Sequence, residues 1–304
     1  MQTSPSITLR PGTADDNLAC HSVMWQAITD LARQRNLSLE GTADEWWAGN
    51  SNAEFTYLSR AAAAWWVAED SATGQIIGYA RSLERGGLFE LTEFFVQPDL
   101  QAKGVGRELL SRAFPASRGQ VRSIIATTDV RALARYYTAG TAARCPMLTL
   151  TGTPAEVDAP GALEIIKLDA TNADRLSEVT VVERAALGYP RGLAELRWIL
   201  ERREGYLYRR NGQTVGFGFV GKSGAGPIAA LDPDELPGEL LHVESRAHAL
   251  GVEELSLQVP GVNAVAARHL LGRGFRIDAW VNLLMSNRPF GQFDRFIPFS
   301  PTFL

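Results

Sequence analysis

The residues with the clearest chemical potential lie in a short loop, QAKGVG (101–106), between an apolar strand ending near Val96 and an amphipathic helix opening near Val105. Gly104 and Gly106 allow successive backbone N–H groups to converge on an anion, and the helix start adds the favourable end of its dipole. Lys103 and Arg107 bring positive charge to the same place. The loop therefore reads as a cradle for a pyrophosphate. Two better-known cradles are excluded. The dinucleotide fingerprint needs a third glycine where Leu109 stands, and the GxxxxGK[ST] loop of nucleotide triphosphatases is absent.

The elements that must hold this loop occur twice. GQIIGYARS (74–82) matches GQTVGFGFV (212–220), VQPD (96–99) matches LDPD (231–234), and DVRALARYYTAGT (129–141) matches NAVAARHLLGRGF (263–275), all at an offset of about 135 residues. The openings ITLRPGTADD (7–16) and LEIIKLDATNAD (163–174) are alike too, each a strand followed by a turn suited to capping a helix. Each half reads as strand, two helices, antiparallel strands, then strand, helix, strand, helix and terminal strands. A stretch rich in proline and glycine, GTPAEVDAPGA (152–162), reads as the connection. The predicted division is 1–152, a linker over 153–162, and 163–304.

The strand, V-x-P-[DE] and QxxGxG order resembles the central motif of the GNAT superfamily of N-acetyltransferases. The likeness continues through VRSIIATTD (121–129) into a helix that the family writes N-x-x-A-x-x-x-Y-x-x-x-G-F, here with Asp129 for Asn and Thr141 for Phe. The fold it implies is α+β (α/β): two GNAT-like domains, each a central mixed, mostly antiparallel twisted sheet flanked by helices. The activity it implies is direct transfer of an acetyl (acyl) group from acetyl-CoA to a primary amine of a small molecule in a ternary complex. Phe95, Val96, Gln101, Ala102, Lys103, Gly104, Val105, Gly106 and Arg107 would then bind the cofactor, with no metal.

That chemistry makes three demands. A lysine-type amine has a pKa of about 10.4, so presenting it neutral at pH 7 costs roughly 4–5 kcal/mol unless a base takes the proton. The family position for the base falls on Glu93, with Glu90 as the alternative, and burial or a water relay would have to raise an ordinary carboxylate's basicity. The oxyanion needs a donor, for which the Val96 N–H fits the family position. The departing thiolate needs a hydrogen bond, from Tyr136 or the adjacent Tyr137. Trp46, Trp47, Trp65 and Trp66 precede the motif and suit either the core or an acceptor pocket.

The second half lacks these parts. From Pro233 to Leu240 is four residues shorter than from Pro98 to Leu109, which removes the cradle, and Asp234, Glu235, Pro237 and Glu239 stand where donors are needed. Ile228 and Leu270 take the places of Glu93 and Tyr136. A structural role is expected there, and the apolar tail FDRFIPFSPTFL (293–304) is expected to dock in a groove.

The 304 residues, 45% hydrophobic and 21% charged, suffice for two cores, and a net charge of −4 gives no footprint for nucleic acid. Cys20 and Cys145 show no metal spacing, and there is neither a leader pattern nor a membrane-length apolar run, so a cytoplasmic monomer or homodimer is expected. A non-catalytic acyl-CoA sensor and a protein N-acetyltransferase are the alternative readings.

Overall fold

A computed structural model describes residues 7–100, 104–157 and 163–304. In chain order come β1 (Ile7–Pro11), α1 (Asn17–Gln34), α2 (Ala43–Trp46), α3 (Asn52–Ala61), β2 (Ala64–Asp70), β3 (Ile76–Arg85), β4 (Leu88–Val96), α4 (Val105–Ala113), β5 (Val121–Thr127) and α5 (Val130–Thr138). There follow β6 (Ala142–Gly152), β7 (Glu164–Lys167), α6 (Ala173–Leu187), α7 (Leu193–Leu200), β8 (Glu204–Arg210), β9 (Gln213–Gly221), β10 (Gly224–Ala230), α8 (Leu236–Ala249), β11 (Leu255–Pro260), α9 (Ala264–Gly272), β12 (Arg276–Ser286) and β13 (Phe296–Ile297). Two compact units result, one running to Ile124 and including Asp129–Thr141, the other holding Ile125–Thr128 and Ala142–Leu304.

In the first unit the strand order is β1-β2-β3-β4-β5. The β3–β4 hairpin turns on Gly86 and Gly87, whose φ values of 54° and 105° suit the tight turns that match strand twist. Pairing is regular from Arg85↔Leu88 to Ser82↔Leu91, and the next pair is Arg81↔Glu93. Thr92 is thus the extra residue of a bulge. In an unbulged strand residues 90 and 93 would face opposite ways; here both share the face of Leu83 and Arg81. The parallel pairing of β4 with β5, made possible by the α4 crossover, runs only from Leu88↔Val121 to Leu91↔Ile124. β4 continues past its last pair with β5 to Val96.

The entry to α1 is fixed by charge. Arg10 forks onto the Asp16 carboxylate with two bonds of 2.8 Å, and the same carboxylate accepts from the Thr13 backbone at 2.8 Å and its hydroxyl at 3.1 Å. A paired arginine and two helix-start donors on one carboxylate lock the first turn, and with it Asn17.

In the second unit β7, β8, β9, β10 and β13 form one antiparallel set, and β6 pairs with both β11 and β12. Chain position assigns residues 142–152 to the first domain. In the structure Leu150, fully buried, packs among Leu255, Leu257, Val259 and Phe275, so the apolar face of β6 belongs to the second unit. The tail docks as expected: β13 pairs with β10 at Ile228↔Ile297 and Ala229↔Phe296, and Phe299 stacks on Phe303 at 4.9 Å. Among the described residues no helix is long and apolar enough to cross a membrane. Because Phe296 is completely buried, Phe296→Ala should lower the unfolding free energy by about 3–5 kcal/mol, read from chemical denaturation.

Candidate active site

Two groups of side chains lie on the two faces of β4. On one face, with α1 and α3, Tyr79 donates a 2.9 Å hydrogen bond to Glu93 Oε1, and Arg81 Nη1 lies 3.3 Å from Oε2. Arg81 is itself pinned: Nη1 donates to the Phe55 carbonyl at 3.2 Å, Nη2 to Asn17 Oδ1 at 3.1 Å, and the guanidinium stacks 4.0 Å above the Trp65 ring. Trp65 reaches that place because Gly12 has no side chain; a Cβ there would sit 2.3 Å from the indole. Burial drives the Glu93 carboxyl above its ordinary value, opposed by Arg81 and by the Tyr79 hydrogen bond. Burial likewise raises Tyr79 far above 10, so it stays a donor. Oε2 accepts no hydrogen bond, leaving it capacity for a proton.

Glu90 is also buried, with its Oε2 3.6 Å from Arg85. Half-buried Phe95 packs on Tyr79 at 5.8 Å. His21, fully buried, lies against Trp47 and Phe55 with centroids 5.2 and 5.5 Å apart, and burial lowers its pKa. Trp47 begins a π-turn, Trp47–Ser51, kinked at Gly49. Trp46 packs edge-on to Trp25 at 5.0 Å, while Trp66, on the other face of β2, lies under Arg112 of α4 at 5.2 Å.

On the opposite face, Phe94 links the glycine loop to α5. Its ring packs edge-on to Tyr136 at 6.0 Å, and its Cζ would be 3.0 Å from a Cβ on Gly106. Gly104, at φ 90°, sits just before α4 in a conformation that disfavours other residues, and Val105 behind it is buried. Arg135 of α5 also approaches Gly106, its Nε 3.6 Å from the same Cβ position. Arg107 is exposed, 3.8 Å from Glu108. Gln101, Ala102 and Lys103 lie outside the described residues.

Tyr136 is buried and its neighbour Tyr137 is 54% exposed, so the two lie on different faces of α5. Burial pushes the Tyr136 hydroxyl well above 10. Asp129 caps α5 by accepting from the Arg131 backbone at 2.8 Å, the part an asparagine would play. Gln97 N–H donates to Ile77 O at 2.9 Å, so by strand alternation the Val96 N–H is directed away from β3.

Residues 61–140 match the sequence profile described as an acetyltransferase (GNAT) domain. This segment is a GNAT domain. No curated protein matches the chain. Among solved structures, a putative acetyltransferase from Pyrococcus horikoshii is 14% identical at a TM-score of 0.75, with 100% of this chain and 98% of that one covered. A tandem GNAT protein from the clavulanic acid biosynthesis pathway is 15% identical at a TM-score of 0.59, covering 93% and 99%. A GCN5-related N-acetyltransferase from Sphaerobacter thermophilus is 16% identical at 0.63, covering 94% and 98%. At these identities the likeness is one of fold.

The second unit repeats the order of elements of the first without the loop. Pro98–Leu100 and Pro233–Glu235 are both 3₁₀ turns, but the latter runs directly into α8 at Leu236. Of its acidic residues, Glu235 is forked by Arg210 at 2.7 and 2.8 Å, and Glu239 points into the core against Gly216 with neither oxygen hydrogen-bonded. Nearby, Tyr208 and His242 share a 3.0 Å hydrogen bond, and burial lowers His242 to about 4.

Burial raises the Glu239 carboxyl far above its usual 4.5, so the fold holds the neutral acid. Its unfolded counterpart ionises, and native stability is lost as pH climbs from that usual value. Glu239→Gln should therefore gain stability over the parent as pH rises from about 5 to 8, and the two should converge near pH 4.5, as followed by thermal melts.

Proposed function

We propose that the first unit is an acyl-CoA-dependent N-acetyltransferase, transferring the acetyl group of acetyl-CoA to a primary amine of a small molecule. The observation that carries this reading is that β4 runs on past its last pair with β5, Leu91↔Ile124, with Glu93 on one of its faces and Gly106 and Tyr136 on the other. A thioester reaching the end of β4 would meet a base from one face and a donor from the other. The extended amide arm of coenzyme A suits the end of β4 beyond its last pair with β5, as a peptide strand would.

The residues present fit that ligand. Gly104 supplies the left-handed turn with open space beside it, Gly106 lets Phe94 pack against the start of α4, and the first α4 amides have no intrahelical acceptor and offer donors to a pyrophosphate. Phe95 and Val96 would flank the arm, and Lys103 and Arg107 would add charge. Glu93, with basicity raised by burial, takes a proton from the incoming ammonium; the Val96 N–H supports the charge growing on the thioester oxygen. The neutral amine then forms the new C–N bond as the C–S bond breaks; the nitrogen's second proton passes to the leaving sulfur, which Tyr136 steadies with a hydrogen bond, so that coenzyme A departs as the thiol.

We place the protein in the cytoplasm as a monomer or homodimer, with chemistry confined to the first unit and a structural role for the second.

The test is thiol release from acetyl-CoA across an amine library. Glu93→Gln should lower kcat/KM by about 10²–10⁴-fold, the usual span for a general base, and Tyr136→Phe should lower kcat with little change in CoA affinity. Gly104→Asp/Gly106→Asp should abolish CoA binding; wild-type affinity in that variant refutes the loop assignment. Tight binding with no turnover on any amine would instead identify an acyl-CoA sensor.

A further inference from the structure

A carboxylate at the back of a closed aromatic shell is not automatically a base. Glu93 is 3% exposed and surrounded by Tyr79, Phe55, Trp65 and Phe95 or their near neighbours, so water contributes little to its charge. Without compensation such a group keeps its proton and cannot take another. The groups that face it are few. From β3 come Tyr79 and Arg81, from α1 Cys20 and Asn17, from α3 only the Phe55 ring and carbonyl, and from β2 the Trp65 ring. Burial holds the Cys20 thiol protonated, and Tyr79 is neutral. Arg81 is therefore the one cation beside the carboxylate among the described residues.

Arg81 is also placed with unusual completeness. It is wholly buried, and besides Glu93 it is bound by a side-chain amide, a backbone carbonyl and an indole face, each on a different element. The anchor Asn17 is the first residue of α1, the turn that Arg10, Thr13 and Asp16 lock. Its hydrogen bonds go to Asn17 and Phe55, and to Glu93 it presents charge at 3.3 Å without an aligned hydrogen bond. That arrangement supplies a field while leaving Oε2 able to receive a proton.

We propose that Arg81 is a positioning residue for the acyl transfer: held by Asn17, Phe55 and Trp65, it keeps Glu93 an anion inside the shell, with Tyr79 fixing Oε1 so that Oε2 is the atom that takes the proton from the acceptor amine. This rests on Glu93 being the base. It concerns the ionisation of Glu93 and not the binding of acetyl-CoA.

The experiment is a carboxyl titration on the full chain, using protein labelled with ¹³C at the glutamate side-chain carboxyl and identifying the Glu93 resonance by its loss in Glu93→Gln. In Arg81→Met the Glu93 midpoint should move upward by one unit or more, about tenfold in ionised fraction at a fixed pH below it. The acid limb of kcat/KM should move with it while KM for acetyl-CoA holds. Tyr79→Phe, which removes one hydrogen bond and no charge, should give a smaller upward shift.

A Glu93 midpoint in Arg81→Met equal to that of the parent overturns the proposal. Should the methionine variant not fold, Arg81→Gln decides: its amide keeps donors for the buried carbonyls but carries no charge, so the midpoint should still rise, and an unchanged value overturns the proposal there. Full activity of Glu93→Gln would overturn the assignment of the base, whereas an inactive Glu93→Gln with an unmoved midpoint in the Arg81 variants overturns only the positioning role.

Discussion

The first unit is organised around a charge pair that water cannot reach. Bringing a guanidinium and a carboxylate out of solvent costs several kcal/mol per ion, and their mutual attraction offsets this only where the remaining polar atoms are met. Around Arg81 and Glu93 the obligations are divided among distant elements: a strand tyrosine, a helix-start asparagine, a carbonyl of α3 and an indole that Gly12 makes room for. Each is an ordinary contact. Together they explain why α1 must begin where it does and why β3 and β4 must meet in one register.

That register has a defect with a use. The bulge at Thr92 carries Glu93 onto the face of Arg81 and Glu90, and a few residues earlier the parallel pairing with β5 ends. Phe94 remains on the other face with Gly106 and Tyr136. A single strand therefore turns a buried acid to one side and, through Phe94, packs on Gly106 and Tyr136 at the other. Two glycines at a helix start are in general enough to receive the charged end of a ligand.

The second unit shows what the same plan becomes when those demands lapse. Its 3₁₀ turn joins α8 without a loop, its counterpart of Glu93 is Ile228, and Leu270 stands for Tyr136, both buried apolar residues. An unpartnered acid, Glu239, is tolerated in its core by Gly216, whose missing Cβ leaves the carboxyl its space. The docked tail closes that core with Phe296 and Phe303.

By itself the sequence determined the repeat, the glycine loop, the α4 and α5 helices, the buried tail and the loss of the loop in the second half, because each depends on local spacing and turn chemistry. A turn on Gly86 and Gly87 would by simple counting place Arg81 opposite Thr92. Only the folded strand reveals the bulge that moves the partner to Glu93, since a bulge is set by what packs on both faces. Which of Tyr136 and Tyr137 is buried likewise needed the helix's orientation. So did the destination of β6, which was decided by where Leu150 could be buried and not by its place in the chain. Asn17, Phe55 and Trp65 have no motif to announce them: they meet at Arg81 from three separate elements, and proximity of that kind exists only in three dimensions.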